Sequence, residues 1–348
     1  RGAARKAIDT SATHQLTQRM DSETFARTLH YAREHQLALQ IICGREGLPD
    51  YAREQLGGDP FVCYAPPAGC SHPSDLPVLN SHTPTAIDTL EPGRHTIAIL
   101  RVGKDDLSRL AALWENLASR VKRVVVVLLG VDGYDDATLD GYREQLLAMR
   151  ESLEKAYAEG AQIELNIVSD RLPLGGPMHC EAGVEHITVD PDGQLHICPG
   201  FAHDGSHPMG DLDGGPDIPN RQLLLRQNAP ICRECDAYHC RRCIYMNLRG
   251  TKEWNTPPQQ VCRASHAERH AARLLLDHLH AKGMLAELPA IAPLDYDDPL
   301  EVVLGNKRRP RPAAKRRPRS DPPPRSDPPP RSAPPRSDPP PSNGHGHH

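Results

Sequence analysis

Hydrophobic positions recur with two different periods in the first half of the chain. Phe25, Leu29 and Ala32 fall on one helical face behind Asp21 or Ser22, either of which can cap that helix. Leu37–Cys43 reads as a buried strand, Asp50–Gln55 as a short helix and Phe61–Tyr64 as another strand. The stretch from Ala65 to Arg94 is rich in Pro, Ser, Thr and His and reads mostly as loop. From His95 the pattern sharpens. HTIAILRV predicts a strand, and Lys104–Arg120 a helix that buries Leu107, Leu110, Ala111, Trp114, Leu117 and Val121. Val124–Leu129 is continuous and β-branched, as expected of a strand covered on both faces. A second helix, Asp136–Ala158, carries Leu139, Tyr142, Leu146, Met149 and Leu153 on one side and stops at Gly160. Ile163, Leu165 and Ile167 mark a third strand. This alternation predicts α/β architecture with right-handed parallel βαβ units, in an open sheet or part of a barrel.

Beyond Gly176 the periodicity fades. His186–Val189 and Gln194–Cys198 flank Asp190-Pro191-Asp192-Gly193, a hairpin turn with glycine where a positive φ is needed. Ser265 and Glu268 have the spacing of a capping box, opening a helix to about Ala281 that buries Ala267, Ala271, Leu275 and Leu279. From about Asn306 a basic run, KRRPRPAAKRRPR, leads into imperfect RSDPPP repeats with too few apolar residues to fold. The expected division is an α/β domain over 1–175, a cysteine-rich module with its helix over 176–285, and an extended basic and Pro-rich tail over 286–348.

Composition narrows the setting. The 348 residues carry a net charge of −4, and the longest clean apolar run, Val124–Leu129, is far below the roughly 20 residues of a membrane span. RGAARKAIDTSATHQ lacks a signal-peptide core, so a reducing, cytoplasmic location without membrane partners is expected. Eight of the thirteen residues Lys307–Arg319 are basic, enough for phosphate contact or for attracting an acidic peptide. A solvated tail is the simpler expectation, and nucleic acid is not the partner expected.

Seven of the ten cysteines lie in the second half: Cys180, Cys198, Cys232, Cys235, Cys240, Cys243 and Cys262. Thiolates at C-x2-C spacing let one turn aim two sulfurs at one metal. Seven fill one four-ligand site and nearly complete a second. The C-x2-C-x4-C-x2-C run alone also fits a zinc knuckle, but the added Cys180/Cys198 pair and the odd total favour iron–sulfur binding. His179, His239 and His266 are reserve ligands, with loop capping the favoured reading of each; Glu181, Asp236 and His239 also sit among the ligands, where acidic residues orient loops or tune potential. Cys43, Cys63 and Cys70 lie apart in sequence and read as incidental thiols.

The pattern Cys180-x12-Gly193-x4-Cys198, a gap, four clustered cysteines and a last one resembles the SPASM domain, which carries auxiliary iron–sulfur clusters in peptide-modifying radical SAM enzymes. More closely, MHCEAGVEHITVDPDGQLHICPGF and APICRECDAYHCRRCIYMNLRGTKEWNTPPQQVCRASHAERHAARLL, with IELNIVSDRL before them, resemble the CXXX repeat peptide maturase family. The resemblance covers about residues 20–280. It implies a partial radical-SAM-like βα barrel in front of a SPASM-like module. It also implies two [4Fe-4S] clusters, one on Cys180, Cys198 and Cys243 and the other on Cys232, Cys235, Cys240 and Cys262. The family spacing of the middle four is C-x2-C-x5-C-x3-C, against C-x2-C-x4-C-x2-C here.

None of the ten cysteines forms the C-x3-C-x2-C triplet that binds the S-adenosylmethionine-cleaving cluster, so S-adenosylmethionine is not expected on this chain. Gly57-Gly58-Asp59-Pro60 precedes a strand and reads as a simple turn. The resemblance then implies a non-SAM-cleaving accessory subunit, in a heterodimer with a radical SAM maturase. Together they would act on a ribosomally synthesised precursor peptide to install a thioether or carbon–carbon crosslink. Two alternatives stand beside it: a complete maturase whose triplet lies upstream of Arg1, and a zinc-stabilised peptide- or nucleic-acid-binding protein.

Overall fold

The computed structural model describes residues 18–161, 163–173, 180–233, 235, 237, 240 and 242–293. Six parallel strands line up in sequence order: β1 (Leu39–Ile42), β2 (Phe61–Ala65), β3 (Leu76–Asn80), β4 (Ile97–Val102), β5 (Arg123–Leu128) and β6 (Glu164–Leu165). Consecutive order with parallel pairing requires every crossover to return on the same side, because βαβ units share one hand. Helix α1 (Ser22–Glu34) precedes β1, and the helices between strands are α2 (Asp50–Leu56), α3 (Thr85–Asp88), α4 (Leu110–Ala118) and α5 (Asp136–Ala158). Asp21 caps α1 by accepting from Thr24 N–H, and Asp135 caps α5 by accepting from Thr138 N–H.

The helix-facing side of the sheet presents Leu79, Leu100 and Val126, in register across three strands and buried with Trp114, Leu117, Leu146 and Met149. No element among the described residues forms a layer on the other side. Ile42, Val62 and Val127 are 51%, 38% and 41% exposed, and Val78, Ile99 and Val125 are only half-buried. The valine run of β5 is therefore covered on one face, contrary to expectation; β-branched residues suit the pleat whether or not a second layer covers them.

Three more expectations need correction. The Ala65–Arg94 segment contains β3 and α3, hidden in sequence by Pro77. That proline pairs with Ala65 of β2 just before the strand's pairing to β4 begins at Val78, near the strand start where a missing N–H is tolerated. Ser265 and Glu268 are not a capping box. They lie inside α8 (Gln259–Ala281), which starts directly after Pro258 and includes Cys262 in its first turns. The Lys104–Arg120 helix is split as well, into a 3-10 stretch over Lys104–Arg109 followed by α4.

The cysteine-rich segment is built from short pieces. β7 (Thr188–Val189) and β8 (Leu195–His196) form the hairpin, with Gly193 at φ 84° and Asp190 Oδ1 accepting from Asp192 and Gln194 N–H. Then follow α6 (Pro199–Asp204), the two-residue strands β9 (Gly210–Asp211) and β10 (Gly215–Pro216), and α7 (Ile244–Thr251). A small apolar cluster of Ile197, Phe201, Met209, Leu224 and Ile244 holds it, with Phe201 edge-on to Tyr245. α8 leaves this segment and packs on α5, so that Ala271, Leu275 and Leu279 join the sheet's own core. No described helix is long and apolar enough to cross a membrane.

Candidate functional site

The seven cysteines of the second half are all free thiols and partly buried. Two of them occupy helix starts. Cys198 is the N-cap of α6 and Cys243 the N-cap of α7. Burial pushes the Cys243 thiol up to about 12, the N–H groups of Met246 and Tyr245 pull it back, and the thiols of Cys180 and Cys198 add repulsion. Burial raises Cys198 too, opposed by the Phe201 and Gly200 N–H groups and reinforced by Cys180. Cys180 Sγ itself lies 3.8 Å from the carbonyl oxygen of Arg242. Cys180, Cys198 and Cys243 thus stand within electrostatic reach of one another.

Cys232, Cys235 and Cys240 make a second neighbourhood. Burial lifts Cys232 to about 11, with Cys240 and Cys235 repelling it and the Arg242 and Arg226 guanidiniums opposing the rise. Cys240 is raised by burial, against the Arg242 N–H, the Ser265 hydroxyl and the Arg171 charge, and Cys235 repels it. Cys235 Sγ accepts from Ala237 N–H at 3.4 Å. Ser265 sits on α8 three residues after Cys262, and residues so spaced share a helical face. Cys262 accordingly faces the side of α8 that approaches Cys240.

Between the two neighbourhoods lies Arg242, 3% exposed. Its Nη2 donates to the Leu224 carbonyl at 2.5 Å, while Nε and Nη1 have no partner among the described residues. Burial pulls its pKa down, and Cys232, Cys180 and Cys240 act against that. Arg171 is the second buried cation here: it pairs with Glu268, and its Nε and Nη1 are unpartnered among the described residues.

The donor set is soft, and soft thiolates select zinc, copper(I) or iron–sulfur groups. A buried guanidinium with two idle nitrogens is costly unless negative charge stands near it, and metal-bound thiolates supply that charge. On both counts the residues fit a thiolate-ligated group. As the side chains stand, no three His, Cys, Asp or Glu among the described residues are gathered tightly enough to hold one ion, and the sulfurs of each neighbourhood would have to draw together to do so. Of the reserve and orienting positions, His179, His239 and Asp236 lie outside the described residues; Glu181 and His266 are engaged in contacts of their own.

Sequence reasoning missed Arg242, although it sits inside the cysteine run, because nothing in the spacing distinguishes a buried arginine from a solvated one. It also missed Cys43, just after β1, and Cys63, on β2, whose sulfurs are 3.2 Å apart. In comparisons with known proteins, no family model and no curated protein matches this chain.

Proposed function

We propose that this chain is an iron–sulfur accessory subunit of the SPASM type, acting beside a radical SAM enzyme in the maturation of a ribosomally made peptide. The observation that carries the reading is the distribution of thiols. Cys180, Cys198 and Cys243 neighbour one another, Cys232, Cys235 and Cys240 do likewise with Cys262 on the adjoining helix face, and a buried, under-partnered Arg242 lies between. Each set would hold one four-iron cluster, the first with a ligand position left over. Bound clusters would supply electron transfer or a soft site for a substrate sulfur. The chain's own residues frame them: the N–H groups opening α6 and α7 face the first set, and Arg242 offsets negative charge from both.

We also infer that the six strands are part of a barrel, with the open apolar face as its lumen. A single covered face on an all-parallel sheet supports this, since such sheets rarely leave a face bare. Near the carboxyl end of β4, Arg101 is partly buried on that open face, and its side chain has no partner among the described residues; burial lowers its pKa. An extended peptide bearing a carboxylate suits an apolar face with one idle guanidinium.

Iron and sulfide analysis of anaerobically prepared protein tests the reading, with roughly eight irons per chain expected for two four-iron clusters. Cys198→Ala and Cys232→Ala should each remove about half of that iron. Zinc alone in the preparation, or unchanged peptide modification when this chain is omitted from a reconstituted maturation reaction, would overturn it.

A further inference from the structure

We propose that Cys43 and Cys63 form a second, independent thiol site, a dithiol that a peroxide closes to a disulfide. Cys43 directly follows β1, and its N–H donates to the Tyr64 carbonyl at 2.8 Å, which ties the two strands together at that point. Cys63 pairs in register with Ile41, two residues before Cys43, so the two cysteines lie on the same, helix-facing side of the sheet. Their sulfurs stand 3.2 Å apart. A disulfide needs about 2.05 Å, so side-chain rotation of roughly 1 Å closes the bond.

The surroundings decide what can reach it. Cys43 is 9% exposed and Cys63 2%, packed among Leu29, Leu48, Ala52 and Leu56 beneath α1 and α2. A bulky disulfide reagent cannot approach sulfurs so covered, whereas a peroxide is close to water in size. The hydrogen bond between the two sulfurs lowers the pKa of the Cys63 thiol and raises that of Cys43. Cys63 is thereby the nucleophile. Cys70, nearby and partly exposed, points its Sγ at the Ala65 carbonyl 3.6 Å away, and burial pushes its thiol up to about 12.

The chemistry balances. The Cys63 thiolate attacks one oxygen of hydrogen peroxide, the O–O bond breaks, and the departing hydroxide takes up the displaced proton as water, leaving a sulfenic acid. Cys43 sulfur then attacks Cys63 sulfur, the S–O bond breaks, and the hydroxyl leaves with the Cys43 proton as a second water. Two thiols lose two electrons and one peroxide gains them.

Residue-resolved mapping of the full chain tests this. After hydrogen peroxide, catalase, alkylation and trypsin, the peptide 34–45, which holds Cys43, should appear joined to the peptide 54–94, which holds Cys63 and Cys70. The joined pair should be two hydrogens lighter than its separate parts. The link should persist in Cys70→Ser and fall when oxidation is done in denaturing urea; in Cys43→Ser it should vanish, with Cys63 then trapped as a sulfenic acid by dimedone added together with urea after the peroxide has been removed. Recovery of both cysteines as alkylated thiols after peroxide would overturn the proposal. So would loss of the link in Cys70→Ser, or over-oxidation of Cys63 with Cys43 left free.

Discussion

The phenol of Tyr142 on α5 donates a 2.8 Å hydrogen bond to Oε1 of Glu268 on α8, and both residues are buried. Glu268 spends its other oxygen on Arg171, which lies just after β6, so one carboxylate joins the α/β core to the helix that emerges from the cysteine segment. Removing one partner of a buried ion pair typically costs about 3–5 kcal/mol, because the survivor is left uncompensated. Arg171→Met and Glu268→Gln should each lower unfolding free energy by roughly that order, and Tyr142→Phe by about 1.5–3 kcal/mol. Urea denaturation of the metal-free protein measures all three.

Arg242 should behave oppositely in the two metal states. Without metal, its two idle buried nitrogens are a liability, so Arg242→Met should raise stability by about 1–3 kcal/mol. With thiolate-bound metal, the same guanidinium neutralises charge. Arg242→Met should then lower the iron bound per chain and shift cluster reduction potentials downward, read by redox titration. A variant destabilised when metal-free and unchanged in iron content would contradict this role.

Acid should loosen the α5–α8 contact in a definite window. Lys282 and His278, both near the end of α8, hold Glu154 down at about 2 against an ordinary 4.5. Lys282 Nζ lies 2.8 Å from Oε1 and His278 Nδ1 2.8 Å from Oε2. The folded form therefore binds fewer protons than the unfolded form between those values. Stability present above about pH 4.5 is lost as pH falls toward 2. Glu154→Gln should flatten that part of the stability profile, measured by urea midpoints across pH.

The open sheet face predicts a binding phenotype without a folding one. Arg101→Gln should weaken binding of an acidic peptide about tenfold or more, the loss of one charge-assisted hydrogen bond. Its thermal midpoint should stay close to that of the parent. Titration calorimetry with acidic and neutral versions of one peptide separates charge from shape: the neutral peptide should not distinguish the variant.

Much of the α/β half could be read in advance because its signals are local. Leu139, Tyr142, Leu146, Met149 and Leu153 repeat at helical spacing and are buried together on α5. β3 escaped because Pro77 masks a strand whose neighbours, not its own composition, complete its pairing. The start of α8 was misplaced because Ser265 and Glu268 carry the residue types of a cap. Their side chains instead turn inward to Cys240 and to Tyr142 with Arg171, a use that depends on distant partners. The bare face of β5 was illegible for the same reason: valine reads alike whether its second neighbour is a helix or solvent. Cys43 and Cys63 are separated by a helix and a turn, and only strand pairing brings them together.

One rod, α8, starts beside the thiols with Cys262 and ends against the sheet with Leu275 and Leu279. Whatever grips its first turn also steadies the far side of the molecule, because a helix transmits force along its axis. If the thiols hold metal as proposed, starvation for it would thus be felt as a slackened core and a chain exposed to proteases, and successful loading would be announced by rigidity well away from the sulfurs.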